Sequence, residues 1–188
     1  MAGTGPAPRG PAWRAVALCV GRSAVLLARG RVHLPRENVG RILRFADGSV
    51  TRVFRETRVD DVLPADPCVL VVAFTLRLVR GRVHRLFEAE SILNTPLFVG
   101  FPGMVTKLWC AHDAAGNYRG FYEWDGPQQA QHYASALWRV LELVCVPGTI
   151  RYKVLPGLRR DEALAEPTRM ATSSDGPDGA WWRLLAAE

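Results

Sequence analysis

The side chains best suited to chemistry lie between residues 104 and 125. His112 is the only histidine in a segment that reads as a strand. An imidazole titrates near neutral pH and can act as a general base. His112 precedes a turn-forming run at 113–117, and Tyr118, Tyr122 and Trp124 follow it. A hairpin closed by that five-residue run would pair His112 with Tyr118, Cys110 with Gly120, Leu108 with Tyr122 and Thr106 with Trp124. Strand side chains alternate, so these residues would share one face. The other face would set Lys107 against Glu123 and Trp109 against Phe121. A loop longer or shorter by one residue would redistribute every pair.

The face with His112, Tyr118, Tyr122 and Trp124 combines aromatic walls with hydrogen-bonding tips, as small-molecule pockets do. The candidate catalytic residues are therefore His112 and Tyr122. The candidate substrate-binding residues are Asn94, Thr106, Lys107, Tyr118 and Trp124. A structural reading competes at each position. His112 would stand in water at a strand end. Lys107 and Glu123 would form a cross-strand ion pair worth about 0.2–1 kcal/mol. Tyr122 and Trp124 would be core aromatics with satisfied polar tips.

Other chemistry is poorly signalled. His84 and Glu88 stand four apart on an expected helix, but no third metal ligand accompanies them, so a surface pair is expected and no metal. His33 and His132 read as solvated. The four cysteines, Cys19, Cys68, Cys110 and Cys145, form no CxxC motif and read as buried thiols. There is no nucleotide-binding glycine fingerprint, P-loop or Ser/His/Asp order. The net charge is +6, yet the arginines scatter among apolar residues instead of forming a stripe, which argues against nucleic acid as a partner. Only Lys107 and Lys153 are lysines among 24 basic residues.

The elements that must position these groups follow from the pattern of apolar residues. Residues 1–11 read as disordered. Residues 12–31 read as a helix with Trp13, Val16, Val20 and Leu27 along one buried face, its partner being the core, a second subunit or a membrane surface. Arg22 divides its apolar stretch, so no transmembrane segment or signal peptide is expected, and a cytoplasmic protein is. Residues 38–56 read as a hairpin turning at Asp47-Gly48 with a type I′ turn, and complete an N-terminal extension over 12–67. A strand at 68–78, a helix at 82–93, a loop or broken helix end at 94–103, strands at 104–112 and 118–124, a helix at 127–144 and a strand at 149–155 then give a βαββαβ order. This is the ferredoxin-like split βαβ arrangement, in an α+β domain over 68–160. Both faces of the 68–78 strand are apolar and the unit's own two helices cover only one, so the other must meet a partner subunit or the N-terminal segment; a homodimer is predicted. Residues 161–188 read as a mostly disordered tail with a short Trp-containing segment at 181–185.

The run Phe101-Pro-Gly-Met-Val-Thr-Lys107-Leu-Trp109, the turn at 113–116 and the strand Tyr118-Arg-Gly120-Phe-Tyr122-Glu-Trp124 resemble the YdhR-type monooxygenase family, over about residues 68–158. The resemblance implies a dimeric α+β barrel of the antibiotic-biosynthesis-monooxygenase kind. It also implies a cofactor-independent monooxygenase-like or cyclase-like enzyme for an apolar aromatic or polyketide-type metabolite. A base such as His112 would then deprotonate a phenol or enol, with Tyr122, Asn94 or Lys107 steadying the developing charge. A non-catalytic small-molecule-binding or interaction protein on the same fold is the alternative.

Overall fold

The computed structural model describes residues 5–60, 63–77, 91–170 and 179–188. In chain order these form α1 (Arg9–Ala28), β1 (Val32–His33), β2 (Ile42–Phe45), β3 (Val50–Val59), β4 (Pro67–Thr75), a 3₁₀ turn (Ser91–Leu97), β5 (Met104–Cys110) and β6 (Asn117–Asp125). After these come α2 (Pro127–Leu141), β7 (Arg151–Pro156), α3 (Arg160–Ala165), a second 3₁₀ turn (Pro167–Met170) and β8 (Leu184–Ala187). The expected helix at 82–93, with His84 and Glu88, lies outside the described residues up to Glu90. Residues 91–93 belong to the first 3₁₀ turn.

The chain is α+β. Its described strands build one antiparallel sheet in the order β7-β4-β6-β5-β3-β2-β8, with β1 beside β3. Bulges at Arg44/Phe45, Val53/Arg55 and Met104/Thr106 curl it. The N-terminal hairpin and the central strands are thus parts of one sheet. At the hairpin turn Gly48 N–H donates to the Phe45 carbonyl, and only Gly48 takes a positive φ. A type I′ turn needs two such residues, so that expectation is corrected.

Both faces of the sheet are covered. β4 sends Cys68, Leu70 and Val72 to one side and Val69, Val71 and Ala73 to the other, which explains its unbroken apolar run. The first side packs under α1 and α2. Pro127 opens α2, where its missing N–H costs nothing, and Ala130, Tyr133, Ala134 and Leu137 form the buried stripe. α1 is apolar and long enough, by length and composition, to cross a bilayer. It docks by Ala12, Val16, Cys19 and Ser23. Trp13, Val20 and Leu27, expected in the core, are 44%, 41% and 46% exposed, so of the predicted face only Val16 is buried. The small residues win because they let the helix backbone approach Gly100 and allow Ser23 Oγ to donate to the Pro96 carbonyl at 2.8 Å.

The second side, for which a second copy or the N-terminal segment was the expected cover, is occupied by this chain's own C-terminal segment. Leu158, Ala163, Leu164, Met170, Trp181, Trp182 and Leu184 pack on Leu43, Phe45, Val53, Leu108 and Phe121. The expectation of a mostly disordered tail fails for residues 161–170 and 179–188, since α3 docks on the sheet and β8 pairs with β2. Buried ion pairs anchor the segment. Arg160 Nη1 reaches Glu56 Oε1 at 2.5 Å and Thr106 Oγ1 at 2.7 Å. Arg119, its side chain 1% exposed, joins Asp113 at 2.8 Å and Asp47 at 2.9 Å, and Arg119 Nε donates to the Trp181 carbonyl. All four cysteines are buried free thiols.

Two outcomes follow from this packing. A Cβ added at Gly100 would overlap the Cys19 carbonyl oxygen, which is backbone and cannot turn away. Gly100→Ala should therefore lift α1 and cost about 1–3 kcal/mol in urea denaturation. Burial would raise the Asp113 carboxyl, but the Asn117 amides and the Arg119 guanidinium outweigh it and hold it below its ordinary 3.8. A depressed carboxylate stabilises the fold above its unfolded-state value and loses that contribution as pH falls through its folded value. Thermal melts below pH 4 should show this acid limb, and Asp113→Asn should flatten it.

Candidate functional site

The register between β5 and β6 decides which side chains meet. Asp113 Oδ1 accepts from the backbone N–H groups of Ala115 and Asn117, at 3.0 and 2.9 Å. Gly116 closes the turn at a φ of +83°. Between the Asp113–Asn117 bond and the Cys110–Arg119 pair, β5 has two residues, Ala111 and His112, against Tyr118 alone on β6. The strands are therefore offset by one residue from the expected pairing. Lys107 lies opposite Tyr122, Leu108 opposite Phe121 and Trp109 opposite Gly120. Thr106, and not Lys107, is the partner of Glu123. The expected Lys107–Glu123 ion pair and the expected sharing of faces are both corrected.

This offset divides the predicted site. His112 is half-buried at the end of β5, its Nδ1 3.0 Å from the Asp113 carbonyl oxygen and its ring edge-on to Tyr118. Tyr118 stacks on Phe74, beside Leu76, Cys145 and Ile150. Tyr118 and Tyr122 are four residue steps apart along β6, about 13 Å at the usual rise. Thr106 is on the opposite side of the sheet, where its hydroxyl donates to the Thr57 carbonyl and accepts from Arg160. Asn94 is half-buried in the first 3₁₀ turn. Only Lys107, Tyr122 and Trp124 come together, under α2.

The centre of that group is Lys107, 6% exposed. Its Nζ lies 3.1 Å from the centre of the Trp109 ring, 4.5 Å from that of Phe98 and 4.8 Å from that of Tyr122. Among the described residues no carboxylate is within 4 Å of it. Burial, seconded by the nearby Arg55 charge, holds the Lys107 amine well below the ordinary 10.5. Arg55 also lies on Trp109, its guanidinium carbon 4.0 Å from the ring centre. Burial pulls it down to about 10. Trp109 is itself fixed, since its Nε1 donates to Thr57 Oγ1 at 3.1 Å.

The wall behind Lys107 is a tyrosine pair. Tyr133 donates to the Tyr122 hydroxyl at 3.1 Å, and burial pushes both phenols upward from 10.0. Trp124 packs on Tyr133 with ring centres 4.8 Å apart. Gly120 makes room for Tyr122, because a Cβ there would stand 2.5 Å from the ring. Arg55, Phe98, Trp109 and Tyr133 were absent from the predicted site. The available signal was compositional: in a chain that uses arginine almost everywhere, one of its two lysines stands inside an apolar strand. Among the described residues no group of His, Cys, Asp and Glu is arranged to hold a metal ion.

Comparison with known protein families, characterised proteins and solved structures finds no match to this chain.

The Lys107 environment has a signature in stability. A lysine whose folded value lies below its unfolded value of 10.5 leaves the unfolded chain holding more protons in the interval between them, so stability rises with pH there. Urea midpoints should climb as pH is raised toward 10. Lys107→Met, which keeps the length and removes the amine, should lose that slope relative to the parent.

Proposed function

We propose that the protein is a small-molecule enzyme of the cofactor-independent monooxygenase or cyclase kind, acting on an apolar aromatic or polyketide-type metabolite, with Lys107 as its base. The observation that carries this reading is an amine enclosed by Trp109, Phe98 and Tyr122 with no carboxylate beside it among the described residues. A buried charge without a counter-ion costs several kcal/mol, so such an amine is held toward its neutral, proton-accepting form. The strand order β7-β4-β6-β5, with α2 between β6 and β7, is also the order of a ferredoxin-like βαββαβ unit, which supports the resemblance drawn from residues 68–158. Residues from 158–170 and 179–184 cover the face that a barrel of two sheets would use, so the proposal takes a single chain as the unit holding the site.

The chemistry begins with proton transfer. The Lys107 amine takes the acidic proton of a bound phenol or enol. The anion left on the substrate then faces the new ammonium and the Arg55 guanidinium, where low dielectric makes each attraction strong. In a cyclisation the substrate carbanion attacks a carbonyl of the same molecule, and the resulting alkoxide recovers the proton from Lys107. In an oxygenation the anion supplies the electrons that reduce molecular oxygen, and the peroxide so formed is protonated and loses water to leave a carbonyl. Aromatic walls orient the substrate in both cases. His112 is not the base in this reading, because it packs on Tyr118, four residues along β6 from Tyr122.

The test uses 2-naphthol, whose phenolate absorbs to the red of the phenol. At pH 7 the bound probe should show the phenolate band. Lys107→Met should abolish the band while changing affinity by no more than a few fold. A probe that binds the parent protein wholly as the neutral phenol would exclude Lys107 as a base and leave a carrier of apolar molecules.

A further inference from the structure

We infer that the Lys107 site is built for an acid: it takes an aromatic ligand whose carboxylate is held by Arg55. This deepens the reading of Lys107 as a ligand-facing residue and rests on it. The carrying observation is the hydrogen-bonding state of Arg55. Nη2 donates to the Ser91 carbonyl at 2.8 Å, whereas Nε and Nη1 are buried and have no hydrogen-bond partner among the described residues. An arginine carries five N–H donors, and buried donors are satisfied in the great majority of cases. Leaving one unmet costs more than a hydrogen bond returns.

The rest of the site agrees in charge. Arg55 and Lys107 lie against the same indole, that of Trp109. Among the described residues no carboxylate pairs with either. Elsewhere among the described residues the deeply buried guanidinium groups of Arg119 and Arg160 are matched, the first by Asp113 and Asp47, the second by Glu56 and Asp161. A site that concentrates positive charge inside aromatic walls is complementary to a ligand that brings the negative charge and an aromatic body with it. Because the Lys107 amine is held toward neutrality, the resident charge is that of Arg55, which one monoanionic carboxylate balances. Hydrogen bonds to a charged group are the strong ones, and here they form away from water.

The experiment compares three probes of one shape on the full chain by isothermal titration: 2-naphthol, 6-hydroxy-2-naphthoate and the methyl ester of the latter. The free carboxylate should bind about ten- to a hundredfold more tightly than 2-naphthol, and the ester should lose that gain. Arg55→Gln should remove the gain, so that in that variant 6-hydroxy-2-naphthoate and 2-naphthol bind within about threefold of each other. If the carboxylate adds nothing in the parent protein, or if the ester keeps the gain, the proposal is overturned without any variant. If the gain survives in Arg55→Gln, Arg55 is not the recognising group and the proposal is equally overturned. Ionisation of bound 2-naphthol measures the base role of Lys107 separately, so the failure of one reading is distinguishable from the failure of the other.

Discussion

The arrangement of this protein depends on the buried guanidinium of Arg119. It joins Asp113 in the β5–β6 turn, Asp47 in the β2–β3 turn and the Trp181 carbonyl of the C-terminal segment. Three parts of the chain distant in sequence are thus tied to one planar group whose donors point in fixed directions. The tie at Asp113 matters most for the site. Asp113 also gathers the Ala115 and Asn117 amides, and so fixes a turn that offsets β5 against β6 by one residue. That offset puts Lys107 beside Tyr122 on the helical side and sends Thr106 to Arg160 on the other. The candidate site and its support are separated by a single step of register.

The two faces of the sheet treat positive charge in opposite ways. On the C-terminal side, Arg119 and Arg160 are matched by carboxylates at 2.5–2.9 Å, and a matched pair of this kind gives specificity of packing more than net stability. On the helical side, Lys107 and Arg55 meet rings. An aromatic face attracts a cation, by about 2 kcal/mol or more once desolvated, but it accepts no ordinary hydrogen bond in place of a carboxylate. The first arrangement reads as architecture. The second is costly for a fold to maintain, and such environments gather where function requires them.

Much of the framework was legible in the sequence because it rests on local patterns. The apolar run of β4 announces a strand buried on both sides, and Pro127 with the 130–137 stripe announces α2. The pairing of β5 with β6 was legible as a hairpin but not in register, since the offset is made by a side chain, Asp113, that competes with the backbone for amide donors. α1 was legible as a helix, but not by the face it buries, because close approach at Gly100 favours Ser23 and Cys19 over Trp13. The tail was misread for a different reason. Trp181 and Trp182 lie against Arg151 and Lys153 of β7 and join a cluster that reaches back to Leu43 and Phe45, contacts that no local window reveals. At the site, Lys107 and Tyr122 stand out in composition, whereas Arg55 acquires its meaning from the tryptophan that the sheet places beside it.

The distribution of the four thiols has a practical consequence. Cys19 lies under α1, Cys68 faces the helical core from β4, Cys110 faces the C-terminal segment from β5, and Cys145 belongs to the small cluster around Tyr118. Burial raises all four, the last three to about 12, so none reacts quickly from the closed structure. A thiol reagent must wait for the layer above it to open. The chain therefore carries its own reporters of partial unfolding, one for each place where a layer meets the sheet, and their separate alkylation rates would rank how readily each layer lets go.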